Sequence, residues 1–228
     1  MKNILYIAAT MFLFSSCFHV NTNWTGGKNA IKGEGPVITK SFDLRDFDQI
    51  VINGQADAVF TQSDTYEVTL RTQENIFDYV DYRVEGSILY LELKEHRTAR
   101  ATEYDLTIQA PALKRLEVNG AADFDIPAGL RIDSDLEISV NGAGDLSFNA
   151  VRCNELSIKA NGAADVDLTS IDVPKLKVEV NGAGDVNVDG SAGQADLSVN
   201  GAGDIDASGL KVAGEVSKHA SGMAKIKL

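Results

Sequence analysis

Residues 139–148 read SVNGAGDLSF, and the core VNGAGD at 140–145 has four relatives: VNGAAD from Val118, ANGAAD from Ala160, VNGAGD from Val180 and VNGAGD from Val199. Taking the motif Asn as origin, the copies stand at Asn119, Asn141, Asn161, Asn181 and Asn200, and Ser221 in HASGMAK is a degenerate sixth. The intervals are 22, 20, 20, 19 and 21 residues. Asn53 in VINGQAD is an earlier relative, 66 residues before Asn119. A fixed period of this size is the mark of a stacked repeat, in which each unit buries its apolar side against the next.

The residues around the motif decide what is stacked. Leu136, Ile138 and Val140 share one parity before it, and Leu146 and Phe148 share one after it. Equivalent sets recur as Leu156, Ile158 with Val166, Leu168, and as Leu176, Val178, Val180 with Val186, Val188. A period of two marks strands with one apolar face, and strands stacked at ~4.8 Å close a continuous core. No six-residue period supports a left-handed hexapeptide helix, and no 3.6-residue period supports leucine-rich repeats. The predicted fold is therefore all-β: a right-handed parallel β-solenoid (β-helix) with about six regular coils over residues 116–228.

Within the motif, Gly120, Gly142, Gly162, Gly182 and Gly201 follow the Asn, and glycine takes a positive φ without strain. The second Gly alternates with Ala at Ala122 and Ala164, so the first is read as the one the corner demands. In a stack each Asn lies over the next and passes a side-chain amide hydrogen bond along the column. The column Asp123, Asp145, Asp165, Asp185 and Asp204 needs an offset, because carboxylates ~4.8 Å apart repel by ~1 kcal/mol even in water. One offset is local, each Asp accepting backbone N–H bonds of its own turn. The other is Ca²⁺ between neighbouring coils. The motif matches the calcium-binding nonapeptide G-G-x-G-x-D-x-U-x only in part, since the period is about twenty and Asp follows Gly directly, so no cofactor is expected and Ca²⁺ is the alternative.

Residues 37–115 form an irregular β-rich portion, with alternation in VITKSFDL, QIVINGQADAVFTQ, YEVTLRT, SILYLELKE and YDLTIQA. The segment TQENIFDYV at 72–80 is predicted as a short helix, with Thr72 as N-cap and Ile76, Phe77 and Val80 on one face. Glu85-Gly86 supplies a turn before the next strand.

The first sixteen residues, MKNILYIAATMFLFSS, carry a Lys near the start and an apolar run from Ile4 to Phe14, the pattern of a secretion signal and too short for a membrane span of roughly 20 residues. Leu13-Phe14-Ser15-Ser16-Cys17 resembles a bacterial lipobox, which implies cleavage before Cys17 and a lipid on its sulfur; an ordinary signal with a stray thiol is the alternative. Residues 17–36 then read as a flexible tether, in which Asn23-Trp24-Thr25 matches a sequon by coincidence. Removing the signal takes one Lys and no acid, so the formal charge becomes 20 − 33 = −13. That sign excludes nucleic acid as a partner. Cys153 then has no partner for a disulfide and reads as a small core residue.

Taken with the lipoprotein start and the NGAGD copies, the stretch APALKRLEVNGAADFDI resembles the putative auto-transporter adhesin, head GIN domain family, over roughly residues 37–228. The resemblance implies a β-solenoid on a secreted or envelope-anchored protein and brings no catalytic residues. The expected function is a non-enzymatic envelope module, held to the membrane through Cys17, that binds a glycan or an envelope protein. The outer membrane is the expected location, its periplasmic face favoured over the cell surface. A polysaccharide lyase or hydrolase on a β-helix is the alternative, and a structural spacer the third. Catalytic pairs of carboxylates sit in differing environments, whereas a repeated turn gives every Asp the same one. His19, His96 and His219 stand in unrelated contexts and read as solvated.

Overall fold

A computed structural model describes residues 30–228; Cys17, the signal segment, His19 and the Asn23 sequon lie outside the described residues. The first half holds β1 (Ala30–Lys32), β2 (Val37–Phe42), β3 (Gln49–Gln62), β4 (Glu67–Gln73), β5 (Val80–Glu85), β6 (Ile88–Leu93), β7 (Thr98–Arg100) and β8 (Tyr104–Ala110). The second half holds β9 (Arg115–Ile126), β10 (Leu130–Arg131), β11 (Leu136–Asn149), β12 (Val151–Arg152), β13 (Glu155–Gly182), β14 (Val186–Gly201), β15 (Asp204–Val212), β16 (Val216–Gly222) and β17 (Lys225–Lys227). Thirteen of these strands form one sheet, and β1–β7 and β10–β12 make two small parallel pairs.

Between β3 and β9, and from β9 to the C-terminal end, the sheet is parallel and the motif sets its register. Asn53 pairs with Asn119, Asn119 with Asn141, Asn141 with Asn161, Asn181 with Asn200, and Asn200 with Ser221. The 28-residue β13 is longer than one sequence period, and it pairs with β11 through Leu156–Thr169 and with β14 through Val166–Gly182. Alternating inward residues pile into columns such as Leu136, Leu156, Leu176 and Phe124, Leu146, Val166, Val186, Ile205, all of them buried. Burying each such side chain contributes ~1.5–3 kcal/mol. Phe124 and Phe148 add a tilted ring pair with centroids 6.2 Å apart.

The N-terminal end is built differently. β2 and β4 pair antiparallel, as do β4 and β8, and β5 and β6 form a hairpin around the turn at Gly86. β6 and β8 then lie side by side along one β3 strand, β6 on Gln49–Asn53 and β8 on Asp57–Gln62. The expected tether ends earlier than residue 36, because β1 pairs with β7, Ile31 is buried, and the Glu34 N–H donates to Asn75 Oδ1 at 2.7 Å.

The helix expected over 72–80 is a 3-10 turn at Glu74–Tyr79, and Thr72 does not cap it. Thr72 belongs to β4, is fully buried, and donates its hydroxyl to the Glu103 carbonyl at 2.7 Å. A sheet partner claimed the side chain that sequence logic assigned to a helix end. Ile76 is buried, with Phe77 and Val80 packed partly against the core.

Candidate functional site

The recurring Asn-Gly step brings its five Asn residues into one column on the sheet. Asn119 Nδ2 donates to Asn53 Oδ1 at 3.0 Å, Asn141 to Asn119 at 2.9 Å, Asn161 to Asn141 at 2.9 Å and Asn181 to Asn161 at 3.1 Å. Asn200 holds the register but makes no amide bond to Asn181 among the described residues, and it accepts from the Ser221 hydroxyl. Flanking carboxylates take further protons: Asn119 also donates to Glu117 and Asn181 to Glu179.

Every donor in the ladder points toward the N-terminal end, so the last acceptor bears on all of them. That acceptor is a carboxylate, Glu92 Oε2, which receives Asn53 Nδ2 at 2.8 Å and pairs with Arg83 at 2.5 Å. Burial alone would push the Glu92 carboxyl up, but the hydrogen bonds from Arg83 and Asn53 and the Arg83 charge together hold it below its ordinary value. Glu92 escaped the sequence reading, because it joins the column through β6, which carries no copy of the motif.

The five motif glycines adopt φ between +138° and +156°, a region other residues enter at a cost. A Cβ on Gly142 would stand 1.9 Å from the Gly120 carbonyl oxygen, so the parallel neighbour as well as the dihedral demands glycine. The second glycine is demanded too, against expectation. Cβ atoms on Gly144, Gly184 and Gly203 would each lie 2.0 Å from the carbonyl oxygen of the residue beneath, Ala122, Ala164 and Gly184 respectively.

That second position controls the aspartates. Where a Gly copy follows, the backbone ladder lapses: pairing between β9 and β11 skips from Ala121/Ala143 to Phe124/Leu146. The freed N–H turns to a carboxylate, so Asp145 N donates to Asp123 Oδ1 at 3.0 Å, Asp185 N to Asp165 at 3.0 Å and Asp204 N to Asp185 at 2.8 Å. Where an Ala copy follows, as Ala164 follows Gly144, the strands stay paired through Asp145 and Asp165. Lys225 in the terminal copy also donates its N–H to Asp204, at 2.8 Å. The carboxylates therefore serve the next copy and not their own turn, because the gap opens between strands.

At its N-terminal end the Asp column continues through Asp57 to Asp105, and Arg71 holds Asp105 at 2.9 Å. Burial, then the charges of Asp123 and Asp105, raise the Asp57 carboxyl. Two residues past Asp204, the last member of the column, the Ser208 hydroxyl and Lys227 pull the Asp206 carboxyl down to about 2. Among the described residues no group of three or more His, Cys, Asp or Glu is arranged to hold a metal ion. His96 and His219 are exposed and lie on unrelated elements. Cys153 is a free, buried thiol that burial pushes up to about 11, which keeps it protonated and unreactive at neutral pH.

Comparison with known proteins follows the same geometry. The family described as "Putative auto-transporter adhesin, head GIN domain" matches residues 46–228. No curated protein matches the chain. Among crystal structures, a putative adhesin from Parabacteroides distasonis is 24% identical with TM-score 0.76, covering 86% of this chain and 84% of that one. A putative lipid binding protein from the same organism is 22% identical with TM-score 0.76, covering 87% and 99%. A putative adhesin from Bacteroides fragilis is 21% identical with TM-score 0.70, covering 86% and 99%. At these identities the likeness is one of fold.

Proposed function

Because the chain belongs to the family of the putative auto-transporter adhesin, head GIN domain, we propose that it is an envelope-anchored binding module without enzymatic activity. In this reading Cys17 carries the lipid, residues 37–228 wind as a right-handed parallel β-solenoid, and the outward face meets a glycan or an envelope protein. The observation that carries it is the in-register pairing of Asn53, Asn119, Asn141 and Asn161, which repeats one set of donors and acceptors at the strand spacing of ~4.8 Å. An extended ligand can use such a series several times over, gaining affinity from repetition. The passage of β13 from β11 to β14 supports the winding, since a strand longer than the period meets its neighbours on both sides.

The aspartates support binding over catalysis. Asp123, Asp165 and Asp185 are occupied in accepting backbone N–H groups, a shared role that sets no acid apart from a base. The family name adds the adhesin role, and the lipid-binding name of one structural neighbour is a further partner class for the same face. Placement on the periplasmic side of the outer membrane is tested by protease shaving of intact cells: loss of the domain would put it on the surface instead.

The deciding experiment incubates the protein with a panel of acidic and neutral polysaccharides and follows both retention and product. Retention without reducing ends or unsaturated sugars is expected. Turnover that disappears when one Asp is changed to Asn would replace the binding module by a lyase or hydrolase.

A further inference from the structure

The chain turns again after each post-motif strand, with positive φ at Gly129 (90°), Ala150 (50°) and Ser170 (60°). Just beyond this second corner β10 and β12 lie parallel, Leu130 opposite Val151 and Arg131 opposite Arg152. Leu130 and Val151 are buried, which leaves both arginines outward on adjacent strands. They line one wall of an open depression of about 360 Å³, together with Gln62, Gly129 and Ala150.

The backbone beneath this pair is held on both sides. Gln62 acts as a stand-in strand, accepting the Arg131 N–H at 2.9 Å and donating to the Arg131 carbonyl at 2.8 Å, while β12 holds the opposite edge. The guanidinium groups above it are only weakly partnered. Arg45, Arg71, Arg83, Arg97 and Arg115 each hydrogen-bond a carboxylate, whereas neither Arg131 nor Arg152 does so among the described residues. Arg152 only approaches Asp172, at 3.5 Å, so two positive charges against one negative leave an excess of one. Like charges directly opposite each other destabilise a sheet, and this pair stands on a chain whose net charge is −12. A bound anion removes that penalty, and paired guanidinium forks match the oxygens of an oxyanion.

We propose that Arg131 and Arg152 form an oxyanion-binding site at the second corner, taking a carboxylate, sulfate or phosphate group into the depression between Gly129 and Ala150. The site is separate from the Asn–Asp columns and stands whether or not those columns meet a glycan. Its ligand is the charged group itself, either as a free ion or carried on a polymer.

The test titrates the full chain by calorimetry at low salt, with inorganic sulfate in one arm and dextran sulfate in the other. The variant is the pair Arg131→Gln with Arg152→Gln, which keeps side-chain bulk, and Arg100→Ala is the control because Arg100 is exposed at another strand. Thermal melts of both confirm that they fold, and Arg131→Lys with Arg152→Lys serves as the alternative should the Gln pair not fold. Binding in both arms, weakened about tenfold or more by the paired variant and unchanged in the control, supports a site for the free ion. Binding of dextran sulfate alone, with the same loss, supports a polymer-borne group. Absence of binding in both arms, or equal affinity of variant and parent, overturns the proposal.

Discussion

Gly142 and Gly54 occupy equivalent places in two copies of the motif and face different neighbours. A Cβ on Gly142 would strike the Gly120 carbonyl, whereas nothing lies within 4 Å of the corresponding Cβ on Gly54, though φ there is +123°. Gly54→Ala is therefore expected to cost only backbone strain, ~1–3 kcal/mol. Gly142→Ala must separate two parallel strands as well, and is expected to cost more than ~4 kcal/mol or to prevent folding. Urea midpoints of the two variants make the comparison, and equal losses would remove the role of the neighbouring carbonyl. The aspartates give a second expectation at this scale. Because Asp123, Asp165 and Asp185 accept N–H groups from the following copy, EDTA or added Ca²⁺ is expected to leave the melting temperature unchanged. A drop in EDTA that Ca²⁺ reverses would replace these hydrogen bonds by a metal column.

The amide ladder is an element in its own right, a chain of aligned dipoles closed by one charge. Glu92 is the closing group, and its carboxyl lies below its ordinary value. A depressed carboxyl contributes stability that is present above the unfolded pKa, near 4.5 for this group, and lost as pH falls through the lower folded value. Asp57 acts in the opposite sense, since its raised carboxyl takes a proton more readily folded than unfolded and acidification relieves its repulsion. Comparing parent with Glu92→Gln cancels Asp57. The variant is expected to be less stable at neutral pH, with the gap narrowing as pH drops below about 4.5. Chemical denaturation across that range measures it, and a gap constant with pH would show that the carboxylate charge does not hold the ladder.

Across the whole molecule the two ends of the sheet are finished in different ways. The N-terminal end is covered by antiparallel strands that the parallel stack cannot continue through. At the other end β16 pairs only with β14, all seven of its residues are exposed, and Lys218 stands opposite Leu197 where the column calls for an aliphatic. Residues 205–228 hold four Lys against Asp206 and Glu215, so this end carries 4 − 2 = +2 in a chain of net charge −12. A charge on an edge strand blocks pairing with another edge. Lys218→Leu is expected to make the apparent mass rise with concentration in sedimentation, while Lys218→Arg stays as the parent. Unchanged behaviour of the Leu variant would assign edge protection elsewhere.

The spacing of the Asn-Gly steps and the alternation around them determined, without coordinates, the strands, their inward residues from Leu136 to Val188, the parallel register and the Asn column. Those features were legible because each depends on a local rule applied at a constant interval: side-chain parity along a strand, and a dihedral that glycine enters freely. Only the tertiary structure decided that Glu92 ends the ladder, that Thr72 serves a sheet instead of a helix, that the second glycine is required, and that Asp123, Asp165, Asp185 and Asp204 bond the following copy. These depend on contacts between residues brought together from 19 to 39 positions apart, where a distant partner, and not the residue's own neighbours, sets the chemistry.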